Sequence, residues 1–340
     1  MDKILLFDST LRDGNHAVSH QLSEAQIKAY ATAADAAGVP VVIVGHGNGI
    51  GASSLQVGES AISDYDMLQA ARKSLKHSML GVYDLPGFST IKRDLKPALD
   101  AGVDVVCVGC HCSEADVTKR HIEFVRGKSK DAYANLMMVH MIPTKKLVEE
   151  CLKLESYGAL GIILMDSAGA FLPHDVTERI SALKNTLKIP FGFHAHDNLG
   201  MGVMNSVAAV EAGATILDCC ARGFGAGAGN AQIELIVAVL QKLGYDTGTD
   251  LYKILESSDI AEKMLMLTQP GISSVTIVSG LAGVFSGFAK HVSRISKQYN
   301  VDPRDVFFEL GKLNAVAGQE DLIIEVAIRL VDKKINIVKG

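Results

Sequence analysis

Short β-branched apolar runs alternate along this chain with longer stretches whose apolar residues recur at helical spacing. The runs Ile4–Phe7, Val39–Val44, Ser78–Tyr83, Asp104–Cys110, Ala134–His140, Gly161–Asp166, Pro190–His196 and Ala214–Cys220 have the length and residue types of strands. Between them, Ser23–Ala37, Asp64–Leu75, Thr90–Ala101, Glu114–Val125, Thr144–Tyr157, Pro173–Leu187, Leu199–Ala212 and Ala231–Leu243 carry helical patterns. Ser23 is a suitable N-cap. Gly38, Gly102, Gly158 and Gly213 follow helix ends, where the left-handed conformation favours glycine. Eight strand–helix units in about 240 residues predict an α/β fold of the (β/α)8 TIM barrel type. An open doubly wound sheet uses the same alternation and is the alternative.

From about Thr249 the strand pattern stops, while helical patterns continue at Ala289–Tyr299, Pro303–Leu310 and Glu320–Val331. This predicts a barrel over residues 1–248 and a small C-terminal helical domain over residues 249–340. Met264 to Ala289 carries no charged side chain, but Gln269, Pro270 and repeated Gly, Ser and Thr make it poor material for a membrane span. A buried loop and helix are expected there instead.

At 340 residues, 48% hydrophobic and 21% charged, the composition is that of a globular protein. The net charge of −5, without a long basic run, argues against a dedicated nucleic-acid binder. The opening Met1–Asp8 has too short an apolar core for a signal peptide and reads as the start of a first strand. Cys107, Cys110, Cys112, Cys151, Cys219 and Cys220 lie mostly in apolar runs and read as reduced thiols of a cytoplasmic protein.

In such a barrel the chemistry sits where strands end and their loops begin. The segments there are polar: Asp8-Ser9-Thr10-Leu11-Arg12-Asp13-Gly14-Asn15-His16 after the first strand, Gly45-His46-Gly47-Asn48-Gly49 after the second, Asp166-Ser167 after the sixth, and Arg222 to Asn230 after the eighth. His194 and His196 stand two apart on a strand and therefore share a face. A divalent ion is an economical common partner for two inward imidazoles; the alternative is two separately hydrogen-bonded core histidines. A carboxylate from the first strand, Asp13 or Asp8, completes a set with open positions. That set suits Mn²⁺, Mg²⁺, Co²⁺ or Fe²⁺ better than a closed structural zinc site. His16 is a candidate general base, and Arg12 a candidate for binding a carboxylate or stabilising an enolate.

Two further motifs read as structural. Alternation places Cys110 and Cys112 on one side of their strand and His111 on the other, which favours packing over zinc. The glycine run at 223–229 lacks the dinucleotide-binding spacing, so it reads as a turn allowing close backbone approach before a phosphate cradle.

The segment from Asp8 to Gly14, together with His194-Ala195-His196, resembles the metal-dependent superfamily of pyruvate aldolases and acyl lyases, which includes isopropylmalate synthases and hydroxymethylglutaryl-CoA lyases. Gly14 to Gln21, His46 to Gly49, Cys112 to Val117, Met141-Ile142-Pro143, Glu155 to Ala159, Asp166 to Gly169, Gly225 to Ala231 and Gly318 to Asp321 are most similar to the 4-hydroxy-2-oxovalerate aldolase family. The resemblance implies a divalent metal, Mn²⁺ before Mg²⁺ or Co²⁺, held by Asp13, His194 and His196. It implies that Arg12 binds the 2-oxo oxygen, that His16 acts on the 4-hydroxyl, and that Ser167 lies beside the substrate carboxylate. It also implies a homo-oligomer whose C-terminal helices contact an acylating aldehyde dehydrogenase. The reaction implied is retro-aldol cleavage of a 4-hydroxy-2-oxoacid to pyruvate and an aldehyde. An acyl-CoA-condensing synthase or lyase, or a barrel kept as a binding partner, are the alternatives.

The chain departs from the family pattern in three places. Ile43 and Cys107 stand where the family carries Glu and Arg, and Leu281 to Phe285 contains no Tyr where the family has one at its active site. If the family's Glu and Arg face each other in the barrel, the first two changes exchange that pair as a unit. Leu281 and Phe285 are expected to leave an apolar wall and to favour a bulkier or more apolar aldehyde than acetaldehyde.

Overall fold

The structure is a computed structural model that describes residues 3–339. All eight apolar runs form parallel strands: β1 (Leu5–Leu11), β2 (Val41–Val44), β3 (Met79–Asp84), β4 (Val105–His111), β5 (Asp131–Met137), β6 (Gly161–Asp166), β7 (Phe191–Ala195) and β8 (Ile216–Cys219). They pair in chain order, and β8 returns to β1 with Leu5 opposite Ile216, which closes the barrel. Closure excludes the open doubly wound sheet.

Strand alternation divides each run between two cores. Phe7, Ile43, Tyr83, Cys107, Ile163 and Ile216 fill the barrel interior. Their neighbours Leu6, Val42, Val82, Val106, Ile162 and Leu217 face the surrounding helices. Ile43 and Cys107 therefore both sit inside the barrel among apolar side chains, where a lone charge would be costly.

The helices are α1 (Gly14–Ala17), α2 (Glu24–Ala36), α3 (Asp64–Ser74), α4 (Lys96–Asp100), α5 (Lys119–Gly127), α6 (Thr144–Ser156), α7 (Pro173–Lys184), α8 (Gly202–Ala212) and α9 (Ile233–Leu243). Beyond them run α10 (Leu251–Met264), α11 (Ser274–Leu281), α12 (Ala289–Tyr299), α13 (Pro303–Lys312) and α14 (Asp321–Lys339). Ser23 caps α2 in a reciprocal capping box with Gln26. Gly38, Gly102, Gly158 and Gly213 all take positive φ past their helix ends. Ile254 and Ala261 of α10 belong to the same apolar cluster as the barrel helices. A separate cluster gathers Val284, Phe288, Val292, Phe307 and Ile323 from α12 to α14 and the turns beside them, together with Met138 from the barrel mouth.

Three boundaries differ from the sequence pattern for identifiable reasons. The helix expected at Thr90–Ala101 begins as a π turn, Ile91–Leu95, before α4, next to Pro97, which has no N–H to give a regular turn. Strand β5 starts earlier than expected and ends at Met137, because Met138 takes a left-handed φ of 56°. The charge-free loop before α11 is not buried: Leu267 is 86% and Ile272 is 50% exposed. Among the described residues, no helix is long and apolar enough to cross a membrane.

Candidate active site

After β1 the chain turns so that the amides of Arg12 and Asp13 both donate to the Ser9 carbonyl, at 3.0 and 2.7 Å. This tight turn delivers both side chains into the barrel mouth. His194 lies on β7 and His196 just beyond it, two residues apart and on the inward face. One ligand atom each from Asp13, His194 and His196 lies within 4.8 Å of the others, and all three residues are buried. Asp8 does not join them. Alternation turns it outward, where it accepts from Thr10 N at 2.9 Å and from the Tyr30 hydroxyl at 2.6 Å, and burial pushes its pKa up to about 6.

The donor set fits a divalent cation. Burial alone would raise the Asp13 pKa, but Arg12 and the facing histidines outweigh it and hold the carboxyl far below its usual range. Burial pushes His196 down to about 4 against the pull of Asp13, so its imidazole is neutral near pH 7. Nδ1 of His196 and Oδ1 of Asn230 are buried without a hydrogen-bond partner. Asn230 also donates its amide to Oδ2 of Asp13 at 2.8 Å and lies 3.3 Å from Nε2 of His194. Nδ1 of His194 lies 3.0 Å from Oδ2 of Asp218 on β8. The sequence reading assigned no role to Asn230 or Asp218. Asp218 had a signal available, because it follows interior Ile216 by two residues.

Nη1 of Arg12 donates to Oδ1 of Asp13 at 2.7 Å and to the Gly47 carbonyl at 3.3 Å. Its guanidinium also stands 4.9 Å from the Tyr83 ring centroid. Its Nε is buried with no hydrogen-bond partner. His16 sits on α1 against Gly47, where any Cβ would come within 2.5 Å of its ring. Behind it His20 and His46 stack with centroids 3.6 Å apart. Burial pushes His16 down to about 3, which leaves the ring neutral near pH 7. Ser167 follows β6, and its Oγ accepts from the Met138 amide at 3.1 Å. The left-handed turn at Met138 thus orients a polar group of the site.

Arg12, Asp13, His16, Ser167, His196 and Phe285 line one small cavity of about 20 Å³. Leu281 is 64% exposed at the end of α11 and takes no part in it. The expected apolar wall is therefore Phe285 without Leu281. In the glycine run, the Ala226 amide meets Asp13 Oδ2 at 3.3 Å and the Ala228 amide meets Asn198 Oδ1 at 2.9 Å. A Cβ on Gly225 would lie 2.5 Å from Asp13 Oδ2, so the run serves close backbone approach. Cys110 and Cys112 are buried on the helix side, while His111 faces Met141 Sδ at 3.5 Å.

Residues 3–261 match the family described as HMGL-like, and residues 270–332 match the DmpG-like communication domain. A 4-hydroxy-2-oxovalerate aldolase of Pectobacterium atrosepticum is 59% identical over 337 residues, covering 99% of this chain and 98% of that protein. The chain belongs to the 4-hydroxy-2-oxovalerate aldolase family. Family members from Spirochaeta aurantia, 59% identical over 95% of both chains, and Carboxydothermus hydrogenoformans, 48% identical over 96% of this chain and 97% of that one, extend the likeness. The carboxyl transferase domain of Rhizobium etli pyruvate carboxylase, crystallised with oxamate and biotin, shares the fold with a TM-score of 0.82 at 18% identity. That alignment covers 98% of this chain and 61% of the transferase chain. Membership of the aldolase family thus spans both the barrel and the helical tail.

Proposed function

We propose that the protein is a divalent-metal-dependent, class II aldolase that cleaves a 4-hydroxy-2-oxoacid to pyruvate and an aldehyde. The observation that carries this reading is the convergence of Arg12, Asp13 and His16 from one loop with Ser167 and His196 around one cavity, His194 completing the ligand set. Asp13, His194 and His196 would hold the ion, with Mn²⁺ the first choice and Mg²⁺ or Co²⁺ the others. Such an ion supplies Lewis acidity toward the 2-oxo group.

The remaining chemistry belongs to side chains. Neutral His16 takes the 4-hydroxyl proton as the C3–C4 bond breaks and the aldehyde forms. The bonding pair passes to C3, and the negative charge spreads to the 2-oxo oxygen, where the Arg12 guanidinium would stabilise it. Ser167 holds the carboxylate end. Protonation at C3 completes pyruvate.

The barrel over residues 1–248 would carry this chemistry, and the chain over 249–340 the contacts with an acylating aldehyde dehydrogenase and with copies of itself. The communication-domain match at residues 270–332 supports a partner-facing role for the helices after α10. The six free, buried cysteines are in keeping with a cytoplasmic setting. Incubation with pyruvate and short aldehydes, and separately with acetyl-CoA and 2-oxoacids, tests the reaction class. Aldol product from aldehydes alone is expected; product from the thioester alone would reassign the enzyme to acyl-CoA condensation.

A further inference from the structure

A second cavity of about 630 Å³ adjoins the catalytic one. His16 lines both, and the backbone of Gly225 and Ala226, drawn close to Asp13, forms part of the wall between them. The larger cavity extends outward to exposed Leu267 and Lys290.

The charge of this larger cavity is one-sided. Lys290, His291 and Arg294 of α12 line it, and among the described residues no Asp or Glu does, although the chain carries a net −5. Lys290 Nζ donates to the Ala17 carbonyl at 2.6 Å and to Ser19 Oγ at 3.0 Å, which leaves one ammonium N–H uncommitted. Arg294 makes no hydrogen bond or ion pair among the described residues. Glu320 lies outside the lining and acts on His291. A cleft lined by cations within an acidic protein concentrates small anions from solution.

We infer that this cavity is the receiving chamber for the 2-oxoacid anion, drawn in by Lys290 and Arg294 and delivered past His16. The inference rests on the aldolase reading. It separates the two reactants of aldol synthesis, because a neutral aldehyde gains nothing from a cationic wall. Lys290 also pins the loop that follows His16, so Arg294 is the cleaner probe.

The experiment is steady-state synthesis from pyruvate and propanal by the full-length protein with Mn²⁺, at low and high NaCl. Arg294→Glu is expected to raise the KM for pyruvate several-fold at low salt while kcat and the aldehyde KM stay level. High salt should close the gap by screening, and Arg294→Lys should resemble the wild type. An unchanged pyruvate KM at low salt would overturn the inference, as would a loss shared by the aldehyde and persisting in high salt. Wild-type protein that forms no aldol product would instead overturn the aldolase reading, and this chamber's assigned ligand with it.

Discussion

Arg12 Nη1 lies 2.7 Å from Oδ1 of Asp13, its neighbour in the chain, and both side chains are almost wholly buried. That guanidinium helps keep the proposed metal-binding carboxylate ionised. Neither charge is tolerable there without the other. Asp13→Ala is expected to abolish Mn²⁺ binding and to destabilise the fold by about 3–5 kcal/mol, the usual effect of stranding a buried charge. Denaturant unfolding and calorimetric Mn²⁺ titration read the two effects. A variant that binds Mn²⁺ normally would detach Asp13 from the metal.

His16 is predicted to act on the hydroxyl and not on the enolate. His16→Ala should lose cleavage by about two orders of magnitude or more, in the range of general-base catalysis. Solvent-deuterium exchange into the pyruvate methyl group should survive better, since it depends on Arg12 and the metal ligands. Equal loss of both would make His16 a structural residue.

Phe285 and Leu281 separate cleanly. Phe285 lines the catalytic cavity and Leu281 is exposed, so Phe285→Tyr should shift kcat/KM between acetaldehyde and longer aldehydes while Leu281→Tyr leaves it unmoved. A tenfold change in preference would correspond to about 1.4 kcal/mol of discrimination. A shift produced by Leu281→Tyr alone would contradict the placement.

Acid should destabilise the metal-free protein. Burial pushes His20 down to about 2, His16 to about 3, and His46 and His196 to about 4. Unfolded histidines titrate near pH 6.5, so the unfolded chain takes up these protons first, and the stability present above that pH is lost as pH falls. Asp8 and Asp166, raised by burial to about 6, act in the opposite sense, because their folded forms bind protons that the unfolded chain does not. Among these six groups four imidazoles outweigh two carboxyls, so they make unfolding near pH 5.5 take up protons, and Tm should drop between pH 7 and pH 5. Calorimetry across that range checks the sign, and a Tm that climbs on acidification would refute it.

The strands were legible because buried parallel strands leave continuous β-branched runs, and His194 and His196 because period-two alternation places them on one face. Asp13 could not be told from Asp8 by spacing. The turn at Ser9 decides between them, sending one carboxylate inward and leaving the other on the helix side. Asn230 left no chemical trace, since a neutral amide in a Gly/Ala run gains its role only from the approach of the β8 loop to Asp13. Phe285 and Leu281 were inseparable for a similar reason. Which of them faces the site depends on where α11 ends and how the tail packs on the barrel mouth.

Metal content and turnover measured together test whether Asp13, His194 and His196 hold a catalytic ion. Chelator-stripped wild-type protein should release no pyruvate from 4-hydroxy-2-oxopentanoate and should regain activity with about one equivalent of Mn²⁺, while His194→Ala should regain neither bound metal nor turnover. Undiminished cleavage by the stripped enzyme, or full metal occupancy in the variant, would contradict the account.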